Sequence, residues 1–194
     1  VEDINKTGYR WNIIGFVDDD KEILDKIING YKVVGNLDWL MEQELYVVIA
    51  IADPRLKEKV LKRLLGSKNH FPTLIHPSVV ISQETVLGEG VIVCAGSIIS
   101  VNVQIGSFVS INWNCTIGHD AVLAKFSNLF PSVNISGFVK IKESVSVGTN
   151  SAIIQNLIIG ENTTIGAGSI VLNDMPANCV AVGTPAKAIK FKGK

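Results

Sequence analysis

The chain has 194 residues, and its 18 basic and 18 acidic side chains give a formal net charge of zero at pH 7. This balance excludes a global electrostatic field that would attract nucleic acid or an anionic membrane surface. Hydrophobic residues make up 47% of the sequence, but no apolar run approaches the roughly 20 residues that cross a bilayer. The composition therefore favours small-molecule and protein partners without membrane insertion, and the high apolar content predicts contacts between subunits.

The cysteine content points to a reducing compartment. Cys94, Cys115 and Cys179 are an odd number of cysteines without metal-type spacing, so we expect neither a disulfide framework nor a metal site. The opening residues "VEDINKTGYRW" lack the profile of a signal peptide and are typical of the tail of a helix. These features predict a cytoplasmic protein.

Residues 1–71 are predicted to form a small α/β domain of Rossmann-like type. "RWNIIGFVDDD" and "LYVVIAIAD" are short apolar runs ending in acids, as in parallel strands buried on both faces, and "YKVVG" is a shorter third candidate. "PRLKEKVLKRLLG" opens with proline and closes on Gly66, which predicts a helix with defined ends.

Residues 72–175 show a different period. Every sixth residue from Ile75 to Val171 is Ile, Leu or Val. Neither a helix of period 3.6 nor a strand of period 2 holds such a phase, whereas a parallel β-helix of hexapeptide repeats does, with one aliphatic side chain per strand pointing into a triangular core. The phase breaks near Pro176, so residues 176–194 are predicted to be a separate cap or tail.

Three strands per coil would stack residues that are eighteen positions apart, and this sorts the corner residues into three columns. The first column is charged, the second is small or apolar, and the third contains the only histidine well inside the repeats. The columns are Glu89, Ser107, Lys125, Glu143 and Glu161; Ala95, Trp113, Pro131, Thr149 and Ala167; and Val101, His119, Gly137 and Gln155. His119 is thus predicted to lie over Gly137, which has no side chain to fill the space beneath the ring.

His119 is followed directly by Asp120. An imidazole exchanges protons near neutral pH, and a neighbouring carboxylate fixes its tautomer and raises its basicity, so the pair suits general-base catalysis. A hydrogen-bonded, inert surface histidine at a turn is the alternative. The residues alone leave both interpretations open.

A resemblance adds to this pattern. The hexads, "IGHD", "ISGFVKI" and "VAVGTPAK" together resemble left-handed β-helix acyltransferases. With "IIGFVDDD", "YVVIAIAD" and the connection "FPTLIHPSVVIS", the chain is similar to sialic acid O-acetyltransferases and UDP-amino-sugar N-acetyltransferases. The resemblance implies a mainly β fold, with a left-handed parallel β-helix after the α/β domain. It also implies direct transfer of acetyl from acetyl-CoA to a sugar amine or hydroxyl, without an acyl-enzyme.

The resemblance assigns catalytic and cofactor-binding positions. His119 would be the general base and Asp120 would tune it, while acetyl-CoA would lie along the β-helix between two subunits of a homotrimer. The implied cofactor-binding residues are Asn128, Gly137, Thr149, Ala167 and Lys187. Some relatives have a histidine in place of Asn128. In this chain the Asn128 amide N–H would donate to the developing oxyanion. Lys187 would meet a CoA phosphate; alternatively, Lys187, Lys190, Lys192 and Lys194 form a solvated basic tail.

The front domain is implied to bind the acceptor. Ligands of open α/β sheets bind outside the carboxyl ends of the strands, where Asp18, Asp19 and Ala52 fall. The family has a glycine in place of Ala52, and a glycine-rich first strand and turn that would precede Val1, so we expect the front domain to be truncated. The alternative for "DDD" is a plain acidic turn.

Three other functions share the β-helix. A serine-type acceptor is disfavoured because serine-specific relatives carry a helical N-terminal domain, and a metal hydratase of the γ-carbonic-anhydrase type needs three converging histidines. A non-catalytic trimeric scaffold or sugar-binding module is the third. Trimerisation is also predicted from apolar residues at outward positions, namely Ile98, Val122 and Ile158.

Overall fold

The computed structural model describes residues 1–8 and 10–193, so Lys194 of the predicted basic tail lies outside the described residues. Three short helices belong to the front of the chain: α1 (Glu2–Lys6), α2 (Leu37–Met41) and α3 (Pro54–Arg63). The predicted helix is confirmed as α3. Its N-cap is Asp53, whose carboxylate accepts the backbone N–H groups of Arg55 and Leu56, with proline in the first turn as expected.

The front sheet is smaller than predicted. It contains β1 (Phe16–Val17), β2 (Ile27–Ile28) and β3 (Tyr31–Gly35) in the order β1-β3-β2, and only the β1–β3 pair is parallel. The run "LYVVIAIAD" forms no strand in the described structure beyond a single bridge from Tyr46 to His70.

The missing strand has a physical reason. Along residues 45–49 the side chains alternate between a packed and an exposed face, as in a strand. The backbone hydrogen bonds of this run in the described structure are those of the bridge with His70 and one from Leu45 N–H to Asn69 Oδ1. Hydrophobic alternation fixes which face is buried, whereas a strand also needs a ladder partner, and this run does not pair with residues 10–17. The prediction of a Rossmann-like parallel sheet is therefore not confirmed.

The predicted β-helix is confirmed. Two-residue strands follow one another at six-residue spacing, and all pair in parallel with the strand eighteen residues away. The coil strands are β4 (Leu74–Ile75), β5 (Val80–Ile81), β6 (Val86–Leu87), β7 (Ile92–Val93), β8 (Ile98–Ile99), β9 (Gln104–Ile105), β10 (Ser110–Ile111), β11 (Thr116–Ile117), β12 (Val122–Leu123), β13 (Asn128–Leu129), β14 (Asn134–Ile135), β15 (Lys140–Ile141), β16 (Ser146–Val147), β17 (Ala152–Ile153), β18 (Ile158–Ile159), β19 (Thr164–Ile165) and β20 (Ile170–Val171).

These strands make three faces. The first face is the eight-stranded sheet that runs from β4 through β7, β10, β13, β16 and β19, and then continues into β21 (Cys179–Gly183) and β22 (Ala186–Phe191). The second face is the six-stranded sheet from β5 to β20, and the third face is the five-stranded sheet from β6 to β18. The tail after Pro176 thus extends the first face as an antiparallel hairpin.

The core of the β-helix follows the repeat. The second residue of each coil strand points inward, and Ile111, Leu123 and Leu129 are fully buried. The narrow interior also buries small residues two positions earlier, including Cys115. Burial raises the pKa of the Cys115 thiol to about 11, so this side chain stays protonated and belongs to the core, as predicted.

Helix α3 is fastened to the first face by a buried lysine. Lys57 is 1% exposed, and its Nζ donates to the Phe108 carbonyl oxygen at 2.9 Å and to Ser110 Oγ at 2.8 Å. No carboxylate lies within salt-bridge distance of Lys57 among the described residues. Burial lowers the pKa of Lys57 to about 8, which makes the protonated form of this contact costly.

Stability is expected to rise in mild alkali because of Lys57. Between the folded pKa of Lys57, about 8, and the ordinary lysine pKa of 10.5, the folded chain has lost a proton that the unfolded chain retains. The free energy of unfolding therefore increases with pH across this window, by about 3 kcal/mol. Urea unfolding at several pH values would show a smaller increase in Lys57→Met than in the exposed control Lys59→Met. Equal increases in both variants would contradict the assignment.

Candidate functional site

The His119–Asp120 pair sits at the corner between the second and third faces. β11 ends at Ile117 and β12 begins at Val122, so the pair occupies the turn between two buried strands. The corner is fixed from both sides, because Asp120 N–H donates to the Val101 carbonyl and Phe138 N–H donates to the His119 carbonyl. The His119 side chain remains 54% exposed. The backbone is rigid here while the ring is open to a ligand.

The pair is hydrogen bonded in one defined direction. His119 Nδ1 lies 2.8 Å from Asp120 Oδ2, and Asn102 Nδ2 donates to Asp120 Oδ1 at 3.2 Å. The hydrogen bond with His119 is the largest cause of a lowered Asp120 pKa, and the one from Asn102 adds to it. An ionised carboxylate only accepts hydrogen bonds, so His119 Nδ1 is the donor, and in the neutral imidazole Nε2 then keeps its lone pair.

The His119 ring is positioned by its two neighbours on the next coil. A Cβ at Gly137 would lie 2.8 Å from both Cε1 and Nε2 of the ring, so the predicted stacking of His119 over Gly137 is confirmed. The Phe138 ring meets the imidazole edge-on, with centroids 5.1 Å apart at 89°. The ring therefore fills space that a side chain at position 137 would otherwise occupy.

The predicted acetyl-CoA residues do not converge on His119 within one chain. Thr149 and Ala167 lie at the corner between the first and second faces, where Thr149 is partly exposed and Ala167 exposed. Lys187 is exposed on β22. Only Gly137 touches the histidine.

Asn128, the predicted donor to the oxyanion, is buried in the structure. It lies on the first face between Ser110 and Ser146, is 1% exposed, and neither of its amide atoms has a hydrogen-bond partner in the described structure. Lys57 covers the neighbouring Ser110. Of the predicted cofactor-binding residues, Asn128 is the least accessible to a thioester in a single chain.

The predicted acceptor residues Asp18 and Asp19 line a cleft of about 250 Å³ together with Asn36 and Trp39. Both carboxylates also have local partners. Asp18 accepts the backbone N–H of Asp20, whereas Asp19 accepts that of Leu37 and pairs with Arg63, and these contacts lower the Asp19 pKa, with the Leu37 bond as the largest cause. Ala52 is exposed but does not line this cleft. The geometry is compatible with an acidic turn and with a ligand cleft.

Two residues that contact the His119–Asp120 pair, Asn102 and Phe138, were not predicted from the sequence. Asn102 lies eighteen residues before Asp120, so the same stacking rule that aligned His119 with Gly137 would have found it. Phe138 follows Gly137 directly in "ISGFVKI", but its contact with the imidazole depends on the backbone direction at the corner.

Two negative observations apply to residues 1–8 and 10–193. No three His, Cys, Asp or Glu side chains in this part of the chain are grouped so as to hold a metal ion. The helices described there are too short or too polar to span a membrane.

Comparisons with known proteins agree with this architecture. Residues 1–64 match the family model of the PglD N-terminal domain. The chain is 30% identical to a GDP-perosamine N-acetyltransferase of Escherichia coli O157:H7 over 90% of this chain and 81% of that protein. It superposes on PerB from Caulobacter crescentus in complex with CoA and GDP-perosamine with a TM-score of 0.84 and 34% identity, covering 91% of this chain and 84% of that one.

A third protein is similar at lower identity. The acetyltransferase domain of PglB from Neisseria gonorrhoeae FA1090, in complex with acetyl coenzyme A, superposes with a TM-score of 0.89 at 26% identity. The alignment covers 97% of this chain and 91% of that domain. All three similarities extend across the front residues as well as the β-helix.

Proposed function

Because the chain belongs to the hexapeptide-repeat sugar acetyltransferase family, we propose that it transfers acetyl from acetyl-CoA to the amine of a nucleotide-linked amino sugar. The observation that carries this proposal is the hydrogen bond from His119 to Asp120, which leaves the Nε2 lone pair on an exposed ring. An amine acceptor is favoured over a hydroxyl because the relatives with nucleotide-sugar names are N-acetyltransferases.

The chemistry needs one base and no covalent enzyme intermediate. The acceptor nitrogen attacks the thioester carbonyl, a C–N bond forms, the C–S bond breaks, and CoA leaves as a thiolate that takes up a proton. His119 Nε2 accepts the proton lost by the nitrogen, while Asp120 stabilises the imidazolium through Nδ1–H. Cys115, a conceivable nucleophile, is buried and protonated.

Acetyl-CoA would bind in a groove shared between two subunits. Gly137 lies beside His119, whereas Thr149 and Ala167 lie at the other edge of the second face, so one chain cannot place all of them around a single thioester. Lys187 would pair with a phosphate of CoA from its exposed position on β22. Asn128 is left out of this proposal because of its burial.

A homotrimer is expected, because the second face and its edge expose apolar side chains. Val80, Ile98 and Ile170 point outward from this face and Trp113 stands at its edge, with exposures of 62, 50, 37 and 56%. Of the other two residues predicted to point outward, Ile158 is 40% exposed on the third face and Val122 is partly buried. Sedimentation should show a trimer at micromolar concentration that Ile98→Lys weakens and Lys142→Met does not. A stable wild-type monomer would contradict the shared groove.

The front domain would select the acceptor. Residues 1–71 form the proposed acceptor-binding region, with Asp18 and Asp19 in their cleft and Ala52 just before α3. Residues 72–175 and 176–194 form the proposed acyltransferase domain and its cap. The family match over residues 1–64 and the cleft beside Trp39 support this division. A cytoplasmic location stays a prediction from the cysteine content.

The function is tested by CoA-thiol release from acetyl-CoA with a panel of GDP- and UDP-linked amino sugars, sialic acid and serine. Turnover is expected with a nucleotide-linked amino sugar. Turnover with serine alone would favour the alternative function with a serine-type acceptor. Silence across the panel, with no saturable heat from acetyl-CoA in calorimetry, would favour the non-catalytic scaffold.

A further inference from the structure

Three phenylalanines adopt a backbone conformation that suits them poorly. Phe108, Phe126 and Phe138 have φ angles of 59°, 64° and 59°. All other non-glycine residues with positive φ in residues 1–8 and 10–193 are Asn, Asp or Ser. A bulky side chain in the left-handed region is unusual and persists only where its surroundings or its function compensate. Each of the three therefore needs a reason.

Packing explains two of them. Phe108 stacks on Phe126 with ring centroids 5.9 Å apart and meets Phe71 edge-on at 5.5 Å. Phe108 also packs into the hydrophobic cluster of the front domain, beside the carbonyl contact of Lys57. These contacts join the first coils to α3, so burial compensates for the strained backbone.

Phe138 has no such packing. Its side chain is 50% exposed, and its aromatic contact in the described structure is the edge-on approach to His119. Its backbone N–H donates to the His119 carbonyl, which fixes its position against the proposed base. The strained, exposed aromatic ring thus stands directly beside the proposed base.

Phe138 also opens onto a cleft of about 260 Å³ that it lines with Lys140, Asn156 and Ile158. This cleft runs from the His119 corner onto the third face, where Lys140 and Ile158 are neighbours in the register of β15 and β18. Two apolar side chains, one amide and one ammonium group make an amphipathic lining. A pyranose linked to a diphosphate has matching chemistry, with an apolar C–H face, hydroxyl groups and a nearby negative charge.

We propose that Phe138, Lys140 and Asn156 form the subsite for the pyranose ring of the acceptor, in which this ring lies against Phe138 and directs its amine to His119. This inference rests on the proposed function. Phe138 is a specificity-determining residue in this arrangement: it supplies a hydrophobic wall for the sugar, while Asn156 donates to a hydroxyl and Lys140 attracts the phosphate charge.

Phe138→Asn tests the wall directly, because asparagine tolerates positive φ and already occupies the stacked corner position at Asn156. The KM for the acceptor is expected to rise about tenfold, the scale of a lost aromatic contact. The KM for acetyl-CoA should not rise, and the melting temperature should not fall. Lys140→Met should raise the acceptor KM several-fold and reduce its salt dependence.

Phe126→Asn is the matched control, with the same substitution in the same backbone conformation. It should lower the melting temperature, through the lost stacking on Phe108, and leave the acceptor KM unchanged. The inference is overturned if Phe138→Asn leaves the acceptor KM unchanged, shifts the KM for acetyl-CoA instead, or dissociates the assembly in sedimentation.

Calorimetry with a GDP-linked amino sugar separates this inference from the proposed function. Absence of turnover in the wild-type protein would contradict the proposed function, but nucleotide-sugar binding that Phe138→Asn weakens would still support the subsite. No saturable binding to the wild-type protein, or equal binding to both proteins, would overturn the subsite.

Discussion

Replacing His119 with alanine is expected to lower kcat for acetyl transfer by about 10²-fold or more, the scale of losing a general base. The side chain is exposed and makes its polar contact with Asp120, so the fold should be unaffected. The acceptor KM should change little, because the imidazole acts on the proton rather than on the sugar ring. Steady-state CoA-thiol release and thermal unfolding measure both expectations.

A matched control is His76→Ala, which removes an imidazole from the connection between the two regions. This variant should retain activity. If His119→Ala kept wild-type kcat, His119 would be the inert surface histidine that the sequence alone left open, and the proposed mechanism would lose its base.

Gly137→Ala is expected to lower kcat by about 10-fold to 10²-fold although it adds one methyl group. The new Cβ would lie 2.8 Å from His119 Cε1 and Nε2, which is too close for both groups, so the ring must move. Displacement of a catalytic group by about 1 Å costs up to 10² in rate. Position 137 does not have a positive φ, so alanine adds no backbone strain, and the melting temperature should stay near the wild-type value.

A double-mutant cycle identifies the cause of this loss. If Gly137→Ala acts by displacing the imidazole, it should have little further effect in the His119→Ala background. A full additional loss in that background would show that the methyl group disturbs something other than His119, such as the neighbouring Phe138.

The sequence predicted the β-helix because its hexad repeat and the coil geometry have the same period. Residues eighteen apart pair in the structure, as Ser110 pairs with Asn128, and the stacking of His119 on Gly137 follows from that register. In such a fold, local sequence spacing determines which residues become spatial neighbours. The hydrogen bond from Asn102 to Asp120 obeys the same rule.

The rest depends on contacts that spacing does not specify. The run "LYVVIAIAD" has the hydrophobicity of a strand, but ladder pairing needs a partner elsewhere in the chain, and only Tyr46 finds one among the described residues. The burial of Asn128 was not predicted from the sequence: α3 packs across the first face, as the contact of Lys57 with Ser110 shows, and Asn128 is buried on the next coil. Both outcomes are set by long-range packing.

The exposure of Phe138 was equally hard to anticipate. Three phenylalanines share one backbone conformation; Phe108 packs against the front domain and Phe126 stacks on Phe108. The third is left beside His119 because the front domain contacts the first face rather than the corner between the second and third faces. Sequence periodicity placed all three at corners without showing which corner would be covered.

Acetyl transfer to a nucleotide-linked amino sugar is tested most directly by identifying the product. The protein would be incubated with acetyl-CoA carrying ¹³C in the acetyl group and a GDP- or UDP-linked amino sugar, and the nucleotide sugar analysed by mass spectrometry and NMR. One labelled acetyl group per sugar is expected, bonded to the amine nitrogen, with matching release of CoA thiol. An unmodified nucleotide sugar across the panel, despite saturable binding of acetyl-CoA, would contradict the assignment as an amino-sugar acetyltransferase.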